Sequence, residues 1–337
     1  MKVYLYGRDG IGWSVDFDRY YTESFLRRLG FRLAGGFLRA DVVHSVWWNQ
    51  LLNYSAYPLR WKKIMAVLTN DADISSRQFR QAGGFVDLWI APNNAIYERL
   101  KSAGLDVKYQ PFYVDEKIFL KEEKSKKQIA VDLGIDPGLI ENRLVIGSFQ
   151  RDSLGEDLGK PKPQKGPDIL VEILKQLPQK DYILLLAGPR RHWLLNRCRE
   201  LGIPCCFLGE EPAASGDDIR VNTLDKKTMN KLYNLSDLYI VSSRSEGGPK
   251  AVLESAFTET MILSTGVGLA PDFLHPWCLY ATAGEAADKV KEMLQGKDVA
   301  PLVQANYDKA MSVASYEPTL ERWGAIYGYF RDKYIRR

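Results

Sequence analysis

Along the chain, apolar runs of strand length alternate with segments of helix length. Residues 2–7 read as a first strand, followed by a turn containing Gly10 and Gly12 and a helix-like stretch at 18–29. Further strands are predicted at 42–46, 64–68, 88–91 and 107–109, with a helix at 94–103. The alternation restarts after residue 143, with strands at 144–149, 182–187, 205–208 and 238–241 and helices at 167–177, 191–201 and 226–235. Such alternation predicts parallel sheets covered by helices. Two successive series predict an α/β chain of two Rossmann-like, doubly wound domains facing a central cleft, with no internal sequence repeat. The expected bounds are 1–115 for the first domain, 116–141 for a lysine- and glutamate-rich linker with a short helix, and 142–310 for the second. In the last segment, 311–337, Leu320, Trp323, Tyr327, Phe330 and Tyr334 recur at steps of three and four, which predicts an amphipathic helix that crosses back to the first domain.

Composition adds limits to this picture. With 337 residues, 45% hydrophobic and 26% charged, the chain is neither disordered nor fibrous. No apolar run approaches the roughly 18 residues of a membrane span, and the polar Arg8-Asp9 interrupts the N-terminal run before it could serve as a signal peptide. Four cysteines, Cys198, Cys205, Cys206 and Cys278, have no metal-ligand spacing and form no disulfide framework, so a cytoplasmic location is expected. Charge is unevenly placed: residues 1–120 hold 16 Lys/Arg against 12 Asp/Glu, whereas residues 121–337 hold 30 of each. In the first part Arg27, Arg28, Arg32, Arg39, Arg60, Lys62 and Lys63 are interleaved with Trp47, Trp48 and Trp61, a composition that permits peripheral contact with the cytoplasmic face of a membrane. So small an excess, without a recognisable motif, argues against nucleic-acid binding.

The stretch from Tyr239 to Phe257 carries the most chemistry. An apolar strand runs into Ser242-Ser243-Arg244-Ser245-Glu246-Gly247-Gly248-Pro249-Lys250 and then into a helix bearing Glu254. Pro249 is expected in the first helical turn, and the two glycines leave backbone N–H groups unobstructed there, which suits a phosphate. Glu254 stands among Ala251, Val252, Leu253, Ala256 and Phe257. A carboxylate in so apolar a helix needs a partner, and paired sugar hydroxyls would provide one.

These residues resemble the signature of the retaining, nucleotide-sugar-dependent glycosyltransferases of family 4, which have the GT-B fold: Glu-x7-Glu in a strand-turn-helix context, here Glu246 and Glu254. The resemblance runs in order along 142–275, through Leu184-Leu185-Leu186-Ala187-Gly188-Pro189, Leu208-Gly209, the run 229–244, and the small-residue loop 264–272. It implies a second domain that binds a nucleotide-diphosphate sugar as co-substrate, with no cofactor and no metal, and a glycan or lipid-linked acceptor on the first domain, as in polysaccharide biosynthesis. Glu254 would hold the ribose and Glu246 the donor sugar, with Gly247, Gly248, Pro249, Lys250 and Gly188 around the donor. Lys165, in Lys165-Gly166, matches the family's diphosphate-binding lysine. The matching arginine is absent, because Gly147-Ser148-Phe149 stands where Gly-Arg-Φ is expected; Arg151 is its candidate replacement, while the Lys160-Pro161-Lys162-Pro163 stretch reads as exposed loop. On the acceptor side Gly10 and Gly12, His44, Asn70 and Asp71 are the candidates, although Asn70-Asp71 replaces a frequent family histidine. Asp71-Ala72-Asp73 formally matches a metal motif of a different glycosyltransferase fold, and a metal is not expected from it. Two alternatives share the expected architecture: another GT-B activity, such as nucleotide-sugar epimerisation, and a catalytically degenerate carbohydrate-binding protein.

Overall fold

The first series of apolar runs forms one parallel sheet: β1 (Lys2–Tyr6), β2 (Arg32–Leu33), β3 (Val42–Ser45), β4 (Lys63–Val67), β5 (Leu88–Ala91) and β6 (Val107–Tyr109), in the order β2-β1-β3-β4-β5-β6. The second series forms β7 (Leu144–Ser148), β8 (Tyr182–Ala187), β9 (Cys205–Leu208), β10 (Leu238–Val241), β11 (Met261–Thr265) and β12 (Leu279–Tyr280), also parallel, in the order β12-β11-β10-β7-β8-β9. This computed structural model describes residues 1–10, 12, 14–53, 59–155, 157–211 and 217–335. Every residue of β3, β5, β8 and β10 is buried, as strands covered on both faces must be.

The chain divides into a unit of Met1–Tyr113 with Ser312–Arg337 and a unit of Val114–Met311. In each sheet the strand order reverses at one place, between β1 and β3 and between β7 and β10. Open α/β sheets bind ligands outside the carboxyl ends of the strands at such a reversal. The two reversals therefore mark where a site can form in each unit.

The final helix, Tyr316–Phe330, is part of the first unit and buries Trp323, Ile326, Tyr327 and Phe330 against Val3, Leu5, Phe25, Leu26 and Met65. Burial of each such side chain contributes about 1.5–3 kcal/mol. His44 lies inside this layer. It is fully buried on β3, its Nδ1 is 2.6 Å from the Tyr327 hydroxyl, and its ring lies beside Trp323. Burial, reinforced by the charge of Arg19, pushes its pKa down to about 3. The expectation that His44 serves the acceptor is thus corrected: it is a neutral core residue that joins the last helix to the sheet.

The stretch 116–141 is also more than an open linker. Its helix Lys126–Asp132, closed by a capping box between Ser125 and Gln128, places Ile129 and Ala130 in the second unit's core beside Val145, Ile183 and Leu185. Just before it, Asn230 and Asn234 from the helix Lys226–Leu235 bond the Leu120 and Glu122 backbone, which fixes the approach.

Candidate active site

In the second unit the chain leaving β7 and the chain leaving β10 are bonded to each other and to the turn before the helix Pro167–Leu174. The Gln150 amide nitrogen donates to the Lys165 carbonyl (3.1 Å), as does the Ser242 hydroxyl (3.0 Å), and the Ser243 hydroxyl donates to the Gln150 amide oxygen (3.2 Å). Gly166 has φ +56°, and a Cβ there would stand 2.0 Å from the Ser242 carbonyl oxygen, so the position needs glycine on both counts. Arg244 fastens the same turn through the Pro163 carbonyl and the Asp168 carboxylate, while its own N–H donates to the Gln164 carbonyl.

These bonds set Lys165 against Glu246. Their side chains form an ion pair, largely buried on the carboxylate side, and the Ser243 hydroxyl donates to the same Glu246 oxygen at 2.8 Å. The Gly247-Gly248-Pro249 turn is braced by Gly268, where a Cβ would fall 2.7 Å from the Pro249 ring. The helix itself runs from Ala251 to Phe257, so Pro249 stands just before it and not in its first turn; the Pro249 carbonyl accepts from Val252 (3.0 Å), and Lys250 caps the end.

The segment between Arg151 and Lys165 folds into a narrow ribbon. Ser153 pairs with Pro161 in an antiparallel bridge, Leu154 donates to the Lys160 carbonyl and Lys162 to the Asp152 carbonyl. This overturns the reading of Lys162 as exposed loop. It is half-buried, and its pKa is held down to about 8 by burial first and then by the charges of Arg151 and Lys165, partly offset by Glu246. Lys162 thus lies within reach of the charges of Arg151, Lys165 and Glu246, beside the Lys165–Glu246 pair. Lys160, only two residues from Lys162, is exposed and paired with Asp157.

Where the strand arginine is missing, another guanidinium arrives from β8. Arg191 is fully buried, donates to the Ser148 hydroxyl at 3.0 Å and lies 3.2 Å from the buried Asp152 carboxylate. Asp152 in turn accepts from the Leu194 N–H, and the Ser153 hydroxyl accepts from the Trp193 N–H, so the two cap the helix His192–Leu201. Arg191 is a positioning residue enclosed in protein. Gly188, at the end of β8, has φ +87° and approaches the Phe149 carbonyl.

Glu254 is partly buried above a layer of rings formed by Phe119, Phe149, Tyr233 and Tyr239, and accepts a 2.7 Å hydrogen bond from the Tyr233 hydroxyl. Burial raises its pKa, and the Tyr233 hydrogen bond and the charges of Lys250 and Lys226 only partly oppose this. Such a carboxylate is held at a cost that hydroxyl donors from a ligand would relieve.

In the first unit the remaining acceptor-side candidates are each engaged within the protein. The amides of Asp9, Gly10 and Gly12 all donate to the Asp16 carboxylate at 3.1 Å. Asn70 accepts from the Trp48 indole at 2.6 Å, Asp71 pairs with Arg99 at 2.7 Å, and Asp73 accepts from Ser75. Among the described residues, no group of three His, Cys, Asp or Glu side chains is placed to hold a metal ion.

Cations and carboxylates meet at the β7/β10 reversal, the place where open α/β sheets bind ligands, and two Rossmann-like units in one chain are the architecture of the GT-B fold. Residues 158–305, all within the second unit, match the family described as glycosyl transferases group 1. The whole chain is similar in structure to HepE of Anabaena, solved with UDP and glucose, at a TM-score of 0.70 and 15% identity over 97% of this chain and 99% of that one. It is also similar to the sucrose-phosphate synthase of Thermosynechococcus elongatus, at 0.66 and 13% over 94% and 77%. The pneumococcal O-GlcNAc transferase GtfA, solved with UDP and GlcNAc, is similar at 0.63 and 12% over 92% and 60%. A search of curated protein sequences returns no match.

Proposed function

We infer that the chain moves a sugar from a nucleoside diphosphate donor to a hydroxyl group of a glycan or lipid-linked acceptor, with retention of anomeric configuration. The observation that carries this reading is the Lys165–Glu246 pair at the β7/β10 reversal, with Lys162 near enough to feel both charges and Glu254 following on the next helix. In this reading the cations stabilise the charge that develops on the leaving diphosphate. Glu246 orients the donor sugar, Glu254 holds the ribose, and an oxygen of the departing diphosphate accepts the proton of the acceptor hydroxyl. Retention rests on the resemblance of the Glu246–Glu254 spacing to the family 4 signature. UDP is the first nucleotide to test, because structural neighbours were solved with it.

Glu254→Gln tests the donor site. A carboxylate with a raised folded-state pKa favours folding below its unfolded value, and that contribution is lost as the pH rises through the folded value. The glutamine variant should therefore be at least as stable as wild type at pH 7–8 and lose ground to it as the pH falls. Its affinity for UDP should drop about tenfold or more, the scale of losing hydrogen bonds to a charged group. Thermal shift with UDP, GDP and ADP and their sugars reads both quantities. No shift with any nucleotide, or an equal shift in the variant, would sink the assignment.

The first unit carries a second feature of the proposal. Leu38 and Trp61 are 84% and 75% exposed, and the Lys62 ammonium bonds the Leu38 and Ala40 carbonyls, which ties together the two segments that carry them and their sequence neighbours Arg39 and Arg60. This surface suits peripheral contact with an anionic, cytoplasmic membrane face. Among the described residues no helix is long and apolar enough to cross a membrane. Co-sedimentation with phosphatidylglycerol vesicles should occur at low salt, weaken at high salt and fall in the Leu38→Ser, Trp61→Ser double variant. Equal sedimentation of that variant would remove the idea.

A further inference from the structure

The first unit holds a cavity of about 540 Å³ at the carboxyl end of β1, lined by Tyr4, Tyr6, Arg8, Arg19, Gly35 and Gln50 among others. Its size is that of a small-ligand site. Its position follows from the topology: β2 pairs with β1 only at Lys2 and Val3, so beyond Val3 this side of β1 has no strand neighbour, and the cavity lies next to the reversal between β1 and β3. Tyr4 and Tyr6, two residues apart, share one face of the strand with their rings 6.5 Å apart and inclined by 28°.

The polar lining is built, and its charge is unbalanced. Gln50 accepts from the Arg8 N–H at 3.0 Å and donates back to the Arg8 carbonyl, while the Tyr6 hydroxyl donates to the Gln50 carbonyl at 3.1 Å. Arg19, half-buried on the helix Ser14–Arg28, donates to the Leu5 carbonyl. Burial and the charge of Arg8 hold its pKa down, against weaker pulls from Tyr4, Glu23 and Asp16. Among the described residues neither guanidinium is in an ion pair. The neighbouring carboxylates are engaged elsewhere, Glu23 with Arg27 and Asp16 with the amides of Asp9, Gly10 and Gly12.

We propose that this cavity binds an anionic sugar, with Arg8 and Arg19 taking its phosphate or carboxylate and Tyr4 and Tyr6 packing the face of its ring. Guanidinium forks match such anions bidentately, and tyrosine rings cover the apolar face of a pyranose at little entropic cost. The proposal rests on the glycosyl-transfer reading to the extent that it makes the acceptor an acidic glycan or a sugar phosphate.

Calorimetric titration of the full chain with methyl glucuronide, glucose 6-phosphate, methyl glucoside and inorganic phosphate tests it. One of the two anionic sugars, or both, should bind at least tenfold more tightly than the glucoside, and glucose 6-phosphate more tightly than inorganic phosphate. Arg8→Ala should weaken the preferred anionic sugar about tenfold or more, and Arg19→Lys, which keeps charge and fold but loses the fork, should weaken it less. Equal binding of glucuronide, glucose 6-phosphate and glucoside overturns the proposal, as does unchanged affinity in both variants; inorganic phosphate binding as tightly as the sugar phosphate overturns its sugar part. UDP titrated into the same samples separates the two readings. UDP binding without anionic-sugar binding leaves the donor assignment and removes this one, and the reverse removes the donor assignment.

Discussion

Lys165→Ala is expected to lower donor turnover, followed as release of UDP from a UDP-sugar, by about 10²–10³-fold, the scale of removing one preorganised charge-stabilising group from an active site. Three features make this lysine the most exposed point of the account. Its backbone is fixed by the bonds from Gln150 and Ser242, so the ammonium is placed before a donor arrives. Its partner Glu246 would remain after the substitution, and an unneutralised carboxylate beside a diphosphate adds repulsion to the lost attraction. No arginine stands on the strand before it, since Ser148 occupies that place, so less charge remains to compensate. The loss should lie mainly in kcat, because the leaving diphosphate gains charge in the transition state. Lys165→Arg should retain part of the rate, and Lys160→Ala, five residues away on an exposed pair with Asp157, should leave it within about twofold. Equal rates for the Lys160 and Lys165 variants would remove Lys165 from the machinery.

Arg191→Ala should cost about 3–5 kcal/mol of stability, the range for breaking a buried ion pair from one side. The guanidinium and the Asp152 carboxylate are 0% and 1% exposed, so the substitution leaves a carboxylate enclosed without its cation. Burial already pushes the Asp152 pKa up with Arg191 in place. Because Asp152 and Ser153 cap the helix His192–Leu201, and Arg191 also holds Ser148, the damage should spread to the end of β7, from which Gln150 and Arg151 emerge. Thermal unfolding should show a midpoint lower by roughly 10 °C, at about 2–4 °C per kcal/mol for a domain of this size. Adding Asp152→Asn should recover part of the loss, since it removes the unpaired charge. A single variant as stable as wild type would contradict the pairing.

The alternation of apolar runs was enough to read the fold class and most central strands, because a buried parallel strand leaves a continuous apolar signature. The edge strands β2 and β12 were not legible. Each has two residues, too few for periodicity. The polar end of β11 masks its apolar start at Met261, so the sequence from Ser264 onward reads as small-residue loop. In the candidate site the Glu246–Glu254 spacing and Lys165-Gly166 were visible as local patterns. Lys162 was not, because its place beside Lys165 depends on the ribbon that pairs Ser153 with Pro161. Arg191 was invisible for the same reason: its meeting with Ser148 joins residues 43 apart in sequence. His44 shows the converse failure, since a histidine in an apolar strand looks alike whether it faces a ligand or, as here, the Tyr327 hydroxyl.

A crystal structure of the protein grown with UDP tests the central claim most directly. Diphosphate oxygens should lie within hydrogen-bond reach of the Lys165 ammonium, and ribose hydroxyls on the Glu254 carboxylate, at the β7/β10 reversal. UDP bound elsewhere, or no bound nucleotide at saturating concentration, would contradict it.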